Sequence, residues 1–555
     1  MTGQTRMMLA SLCLLIGAAV GAGGLPARAE TSPGASRRPV PDLGVMLNDD
    51  GDWSFTSLDP EQSRRDILAA IDALAGTPVK TYLRCVGLGS DTLYYPTEAA
   101  SVAGWRDDPT GRLSDYLAKV RAGIASGVDP IRLAGERCKE LGIYFFPSVR
   151  MNDAHFAKTA PIHPLTGEFW MKHHEQYTLK SPKNWLNFQF QEVRDYRLGI
   201  IFEVIDRYQD VMDGIELDFN RHPLFFPRGS GMTHADLLTE MVAKVRAKLD
   251  EVGQERGRPY YLIVRVNPTL ETCHYSALDV ERWMREGLVD VIVPAQLYDL
   301  SYDMRIEELV RLGRSTGVKV YPAIYPRTEH VHAFVQSPSE ADYSGKTTHI
   351  PSVELLRGAA SNLWHLGADG FELYNFRTPP GPLGYQAHRV FADPAALTMQ
   401  DRLYMITPGK PTLSNEEAKQ IPASLTQEQP ISLKLLVGED FKNPDKPIPS
   451  YVGLRIGLRD LPSSLSVRVS LNGRVIHDGP AGKKLTRVTS PPHGLSWRLP
   501  LPEAYLQIDV EDRSLLEQGW NSITLELLGP PADKPVQVQA VQLGVLYKNP
   551  FNRRL

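Results

Sequence analysis

Cysteine is scarce, with four in 555 residues. Cys13 falls in an apolar N-terminal run, which leaves Cys85, Cys138 and Cys273, an odd set that excludes a disulfide framework. Cys85 and Cys138 lie in apolar strand or helix patterns and read as small core residues. Cys273 falls in a loop. A dominant charge is also missing: 61 Lys and Arg face 65 Asp and Glu, for a formal net charge of -4. With both signs interspersed, neither nucleic acid nor an anionic membrane surface is an expected partner. Beyond Val20 no stretch offers the roughly 20 uninterrupted apolar residues a membrane helix needs, so no membrane span is expected. The chain has no G-x-S-x-G on a strand-to-helix turn, its one such string, Gly313–Gly317, closing a helical stretch; it has no H-E-x-x-H, no paired-Cys spacing and no Gly-rich phosphate loop after its first strand. Those absences argue against a serine triad, a zinc-protease centre and a dinucleotide fold. No metal and no cofactor is expected.

What is present begins with Arg6, an apolar run from Met7 to Val20, and Gly24-Leu-Pro-Ala-Arg-Ala29. A charged start, a short apolar core and an A-x-A site predict a signal peptide over 1–29, cleaved after Ala29. The mature chain is then expected to be secreted or periplasmic. Residues 30–41 read as a flexible leader.

From 42 to about 405, short apolar runs alternate with amphipathic helical patterns. The expected strands are Leu43–Leu47, Lys80–Val86, Ile143–Val149, Gly214–Phe219, Tyr261–Val266, Val289–Gln296, Lys319–Ile324 and Gly370–Tyr374. Gly142, Gly287, Gly317 and Gly367 punctuate the helix ends, as C-caps do. Eight strands in unbroken βα order predict an α/β fold, a (β/α)8 TIM barrel. Leu397–Tyr404 reads as a closing helix and 406–430 as a linker. Residues 431–550 carry strand signals at regular spacing, with Asn472-Gly473 as a hairpin turn. They predict an all-β, jelly-roll-like sandwich as an accessory domain.

The densest chemistry lies in Asp213-Gly-Ile-Glu-Leu-Asp-Phe-Asn-Arg-His-Pro223. Strand side chains alternate, so Glu216, Asp218 and Asn220 share one face and Ile215, Leu217 and Phe219 the other. In a parallel barrel the polar face looks inward, and the strand's carboxyl end is where barrel enzymes do chemistry. The other expected strand ends are also polar: Asn48, Asp49 and Asp50; Arg84; Arg150, Asn152, Asp153 and His155; Arg221 and His222; Arg265, Asn267 and Glu271; Gln296, Tyr298 and Asp299; Tyr325 and Arg327; Glu372, Tyr374 and Asn375. So many amides, acids and guanidiniums suit sugar hydroxyls, and Trp53, Tyr94, Tyr95, Trp105, Trp170, Trp185 and Phe225 offer rings to stack on them.

The strand-four stretch resembles the Asp-Gly-(Ile/Leu)-x-x-Asp-Tyr-x-Arg-(Tyr/His)-Pro signature of the family-10-like bacterial glycosyl hydrolases. Val289-Asp-Val-Ile-Val-Pro-Ala-Gln-Leu-Tyr298 and Gly367-Ala-Asp-Gly-Phe-Glu-Leu-Tyr-Asn375 extend that resemblance. It implies a secreted barrel acting on carbohydrate. The stretch is also similar to the family-18 chitinase motif, but Asn220 stands where that motif carries its acid. True family-10 xylanases end strand four with Asn-Glu and place a second Glu on strand seven. Here those strands read Phe219-Asn220-Arg221 and Tyr321-Pro-Ala-Ile-Tyr325, so neither mechanism transfers. Val469–Val475 and Gly519–Leu525 resemble the galactose-binding-like sandwiches attached to many glycosidases.

The expectation is a secreted glycoside hydrolase with a carboxylate pair at the barrel mouth and a carbohydrate substrate. Asp218 is the first carboxylate, with Glu372, Asp299 or Glu271 as its partner. Arg221 is the expected ion-pair partner of Asp218. Asn48, Arg150, Asn152, Asp153, Glu216, Asn220, Arg221, Asn267, Gln296, Tyr298 and Tyr374 are the expected substrate contacts, Glu216 lying one layer deeper. His155, His163, His173 and His174 lie in the long third loop near Asp153, without metal-ligand spacing. Two alternatives stay open: a non-catalytic carbohydrate-binding barrel, and a polysaccharide lyase or deacetylase. The oligomeric state is not set.

Overall fold

The computed structural model describes residues 38–156, 163–182, 184–296, 300–325, 352–376, 389–408, 419–479, 485–487 and 503–547. The signal peptide, most of the leader, Tyr298, Asp299 and Arg327 lie outside them. No helix among the described residues is long and apolar enough to cross a membrane.

Eight parallel strands form the barrel: β1 Val45–Asp49, β2 Val79–Cys85, β3 Tyr144–Arg150, β4 Gly214–Asp218, β5 Tyr261–Val266, β6 Val291–Pro294, β7 and β8 Phe371–Tyr374. The seventh, β7, is split into Lys319–Val320 and Ala323–Ile324 around Tyr321-Pro322. Its first half pairs with β6 and its second with β8, and β8 pairs with β1, which closes the ring. A proline that cannot donate to a ladder explains the split. The helices outside are α1 Pro60–Asp72, α2 Pro130–Leu141, α3 Gln191–Tyr208, α4 Ala235–Arg256, α5 Val280–Arg285, α6 Glu307–Thr316 and α7 Val353–Leu366. Asp129 caps α2 by accepting from the Ile131 and Arg132 amides, with Pro130 in the first turn. Gly142, Gly317 and Gly367 end α2, α6 and α7 in the left-handed conformation, and Gly287 also has φ +70°.

The lumen has two storeys. Met46, Leu83, Phe146, Ile263, Val291 and Val293 form a dry floor separate from the strand–helix core. Above it the inward positions are polar, because the register sets Ser148 beside Glu216 and Asp218 beside Arg265.

After the barrel comes the sandwich. Its strands are β9 Arg402–Met405, β10 Ala423–Leu425, β11 Ile431–Val437, β12 Tyr451–Arg459, β13 Ser466–Leu471, β14 Arg474–His477, β15 Leu485–Arg487, β16 Ala504–Asp509, β17 Gly519–Leu528 and β18 Val536–Leu546. One sheet runs β9-β18-β12-β16-β15, with β10 also on β18, and the other runs β11-β17-β13-β14. Leu433, Leu435, Val467, Ile456, Leu525 and Leu543 fill the space between them. Asn472 and Gly473, both at positive φ, make the turn between β13 and β14.

The closing helix expected at Leu397–Tyr404 is not found. Pro394–Leu397 is one 3-10 turn and Arg402–Met405 is strand β9, which adds to β18. The alternation of Leu403 and Met405 with Arg402 and Tyr404 fits strand and helix alike, and a distant partner decides for strand. The β9 segment also packs on α7: a Cβ on Gly358 would lie 2.1 Å from the Leu403 carbonyl oxygen. Across the same junction, Asn362 accepts from the Gly438 amide at 2.8 Å and Ser361 meets the Tyr404 hydroxyl at 3.0 Å.

Candidate active site

Alternation along β4 turns Glu216 and Asp218 into the lumen, where they are 0% and 1% exposed. Glu216 Oε2 accepts from Asn48 of β1 at 2.7 Å and from Ser148 of β3 at 2.5 Å. Asp218 Oδ1 accepts the backbone amides of Asn220 and Arg221 at 2.9 and 3.0 Å, which folds the chain back over the strand end. Its other oxygen, Oδ2, pairs with Arg265 Nη1 at 3.1 Å. Arg265 Nε lies 3.3 Å from Glu372 Oε1 on β8, and the guanidinium stacks 3.8 Å over the Tyr374 ring. One buried cation therefore joins the acids of β4 and β8.

Burial pushes the Glu372 carboxyl well above the usual carboxylate range, and the neighbouring Glu216 adds to the rise while Arg265 opposes it. Burial, followed by the charge of Asp218, raises Glu216 too. Beyond Arg265, the Glu372 oxygens receive no hydrogen bond from the described residues. A proton on Glu372, donated to Glu216, satisfies both groups.

A second tier covers this one. Asp50 pairs with Arg150, accepts from the Tyr374 hydroxyl at 3.1 Å and from Asn375 Nδ2 at 2.8 Å. Against the upward push of burial, Arg150 and Arg221 hold the Asp50 carboxyl below its usual range. Arg150 also pairs with Asp153 at 2.9 Å. Asp153 in turn accepts from His155 Nδ1, and Arg221 donates to His155 Nε2. His222 Nδ1 accepts the Ala154 amide at 3.2 Å, so the ring is neutral with its proton on Nε2. Burial, with help from Arg221, pushes His222 down to about 3. The Trp185 edge packs on the same ring, 5.0 Å between centroids.

Asp153, His155 and His222 bring three potential ligand atoms within 4.8 Å of one another. They do not suit a cation, because guanidiniums already hold Asp153 and His155 and would repel it. The other loop histidines lie apart from them: His163 stacks on Phe156, and His174 Nδ1 meets the Met171 carbonyl.

Several expected residues have different surroundings from those the pattern implied. Arg265, not the Arg221 guanidinium, pairs with Asp218, since Arg221 reaches outward to His155. Asp49 and Arg84 face away from the lumen, where Asp49 accepts from Tyr82 at 2.8 Å and Arg84 lies over Trp53. Glu271 is exposed in the short helix Leu270–Tyr275. The Asn152, Asn220 and Asn267 amides tie loops together: Asn152 bonds the Leu186 and Leu224 carbonyls, Asn220 the Ala295 carbonyl, and Asn267 the Thr272 carbonyl. Gln296 is 8% exposed. Tyr94, Tyr95, Trp170 and Phe225 are core rings. Ser148 was missed, although Phe146, Ser148 and Arg150 alternate on one face of β3.

No known family model matches the chain, and no curated protein matches it. Solved structures similar in chain course include the cycloisomaltooligosaccharide glucanotransferase of Paenibacillus sp., at 10% identity and TM-score 0.33; the match covers 89% of this chain and 57% of that one. The chain thus spans little more than half of that protein. A maltogenic alpha-amylase from Thermotoga neapolitana matches at 10% identity over 88% of this chain and 99% of its own, with TM-score 0.34. An alpha-L-fucosidase from Bacteroides thetaiotaomicron matches at 10% identity over 89% and 97%, also with TM-score 0.34.

Proposed function

We propose that the chain is a glycoside hydrolase, exported from the cell, that cleaves an oligo- or polysaccharide at the barrel mouth. The observation that carries this reading is the Arg265 bridge between Asp218, the last residue of β4, and Glu372 on β8. Glycoside hydrolysis uses one carboxyl that keeps its proton and one that acts as nucleophile or base. Glu372 fits the first part: burial raises it, and as general acid it would protonate the departing glycosidic oxygen. Asp218, oriented by two amides and a guanidinium, fits the second. Arg150, Asp153, His155 and Arg221 above them would bind hydroxyls. The motif resemblance on β4, β6 and β8 points the same way.

The 0–1% exposure of Asp218 and Glu372 favours a second reading, in which the ionic cluster braces a barrel that binds glycan without cleaving it. Reducing-sugar release from a broad glycan panel separates the two, with Asp218→Asn and Glu372→Gln assayed beside the parent. Release that disappears in both variants while they melt cooperatively supports the hydrolase. Release that survives Asp218→Asn rejects this site. Glycan binding by the parent without release establishes the second reading.

A further inference from the structure

Barrel and sandwich border a half-open cavity of about 420 Å3 whose described lining residues include none of the acid cluster. One wall is Asp303 and Arg305, in the loop between β6 and α6; Thr407 and Lys419 follow β9; Lys434 and Trp520 come from the four-stranded sheet. Trp520 pairs with Leu436 across β11 and β17, so Lys434, two residues before Leu436, lies on the same face as the indole. That face looks at the barrel, because Trp520 Nε1 donates to Glu307 of α6 at 2.9 Å, which fixes the ring. Gln420 clamps Lys434 by bonding both its backbone amide and its carbonyl, at 2.6 and 2.8 Å.

The charges in this cavity do not balance. Arg305, Lys419 and Lys434 form no salt bridge among the described residues. Among the described residues Asp303 is the one acid on the wall; it accepts the Thr407 amide at 3.2 Å, and burial raises its carboxyl although Lys419 opposes the rise. Three cations around a cavity with at most one anion attract a negative ligand. At about 30 Å3 per water, the space holds about 14 waters, which leaves room for a hexuronate ring with water around it. An inorganic anion would leave most of it unfilled, and the fixed indole supplies a surface for a sugar ring.

We propose that this junction cavity binds a carboxylate-bearing saccharide, a hexuronate unit of an acidic glycan, with the carboxylate among Arg305, Lys419 and Lys434 and the ring against Trp520. The proposal does not rest on hydrolysis at the barrel mouth. Isothermal titration of the full chain with trigalacturonate, neutral maltotriose and inorganic phosphate tests it. The expected result is binding of trigalacturonate alone, weakened at least tenfold in the double variant Arg305→Ala, Lys434→Ala. Both replaced side chains are exposed, so the double variant should fold, and circular dichroism checks that. Silence with trigalacturonate, equal binding of maltotriose or phosphate, or full affinity in the double variant would each overturn it.

Discussion

Arg265 and Asp218 are 47 residues apart in the chain and 3.1 Å apart in the lumen, each about 1% exposed. Neither can lose the other without leaving an uncompensated charge in a dry place. Arg265→Met is therefore expected to destabilise the barrel by about 3–5 kcal/mol. Arg265→Lys should recover only part of that, since a single ammonium cannot reach Glu372 as the guanidinium does. Urea denaturation of both variants reads the effect. A loss under about 1 kcal/mol in Arg265→Met would show that the acids adapt without their cation.

Glu372 gives stability a slope on its alkaline side. The folded carboxyl keeps its proton above pH 4.5, where the unfolded chain has released it, so the folded state binds more protons and stability falls as pH rises. Glu372→Gln should remove that slope. Urea midpoints of parent and variant between pH 5 and pH 8 check this, and parallel curves would contradict the proton on Glu372.

His222 works in the opposite direction. Its ring stays neutral in the fold down to about pH 3, while the unfolded chain takes up a proton near 6.5. Stability then falls as pH drops from 6.5 toward 3, by up to about 1.4 kcal/mol per pH unit. His222→Asn should flatten the acid side, and asparagine suits the residue's φ of +57°. Thermal melts from pH 4 to 7 would show the flattening. An unchanged acid limb would mean that other groups set it.

Gly358 tests the junction. With the Leu403 oxygen 2.1 Å from where a Cβ would stand, Gly358→Ala must push α7 and β9 apart. A cost of about 1–3 kcal/mol is expected, the range for overpacking. Calorimetry should show a lower melting temperature and barrel and sandwich melting separately. One unshifted transition would mean the contact adapts without cost.

The barrel was legible because its signals are local: alternation along β4, and glycines that end α2, α6 and α7. The inward turn of Glu216 and Asp218 followed from the same two-residue period. Arg265 as the cation of Asp218 was not legible, because it depends on the β4–β5 register, and Arg221 was the nearer candidate in sequence. The amides of Asn152, Asn220 and Asn267 look alike in a string whether they meet a ligand or a loop carbonyl, and only the fold separates those cases. Arg402–Met405 was misread for a related reason. Its pattern suits either helix or strand, and its ladder partner comes more than a hundred residues later.

That late partner sets an order on biosynthesis. Leu403 pairs with Gly544, so a ribosome must release nearly the whole sandwich before β9 finds its neighbour. Until then the α7 surface around Gly358 and Asn362 has no finished cover, and the nascent barrel exposes a sticky flank. A chain cut before Val536 would keep that flank permanently, which makes such a fragment a natural substrate for quality-control proteases and chaperones.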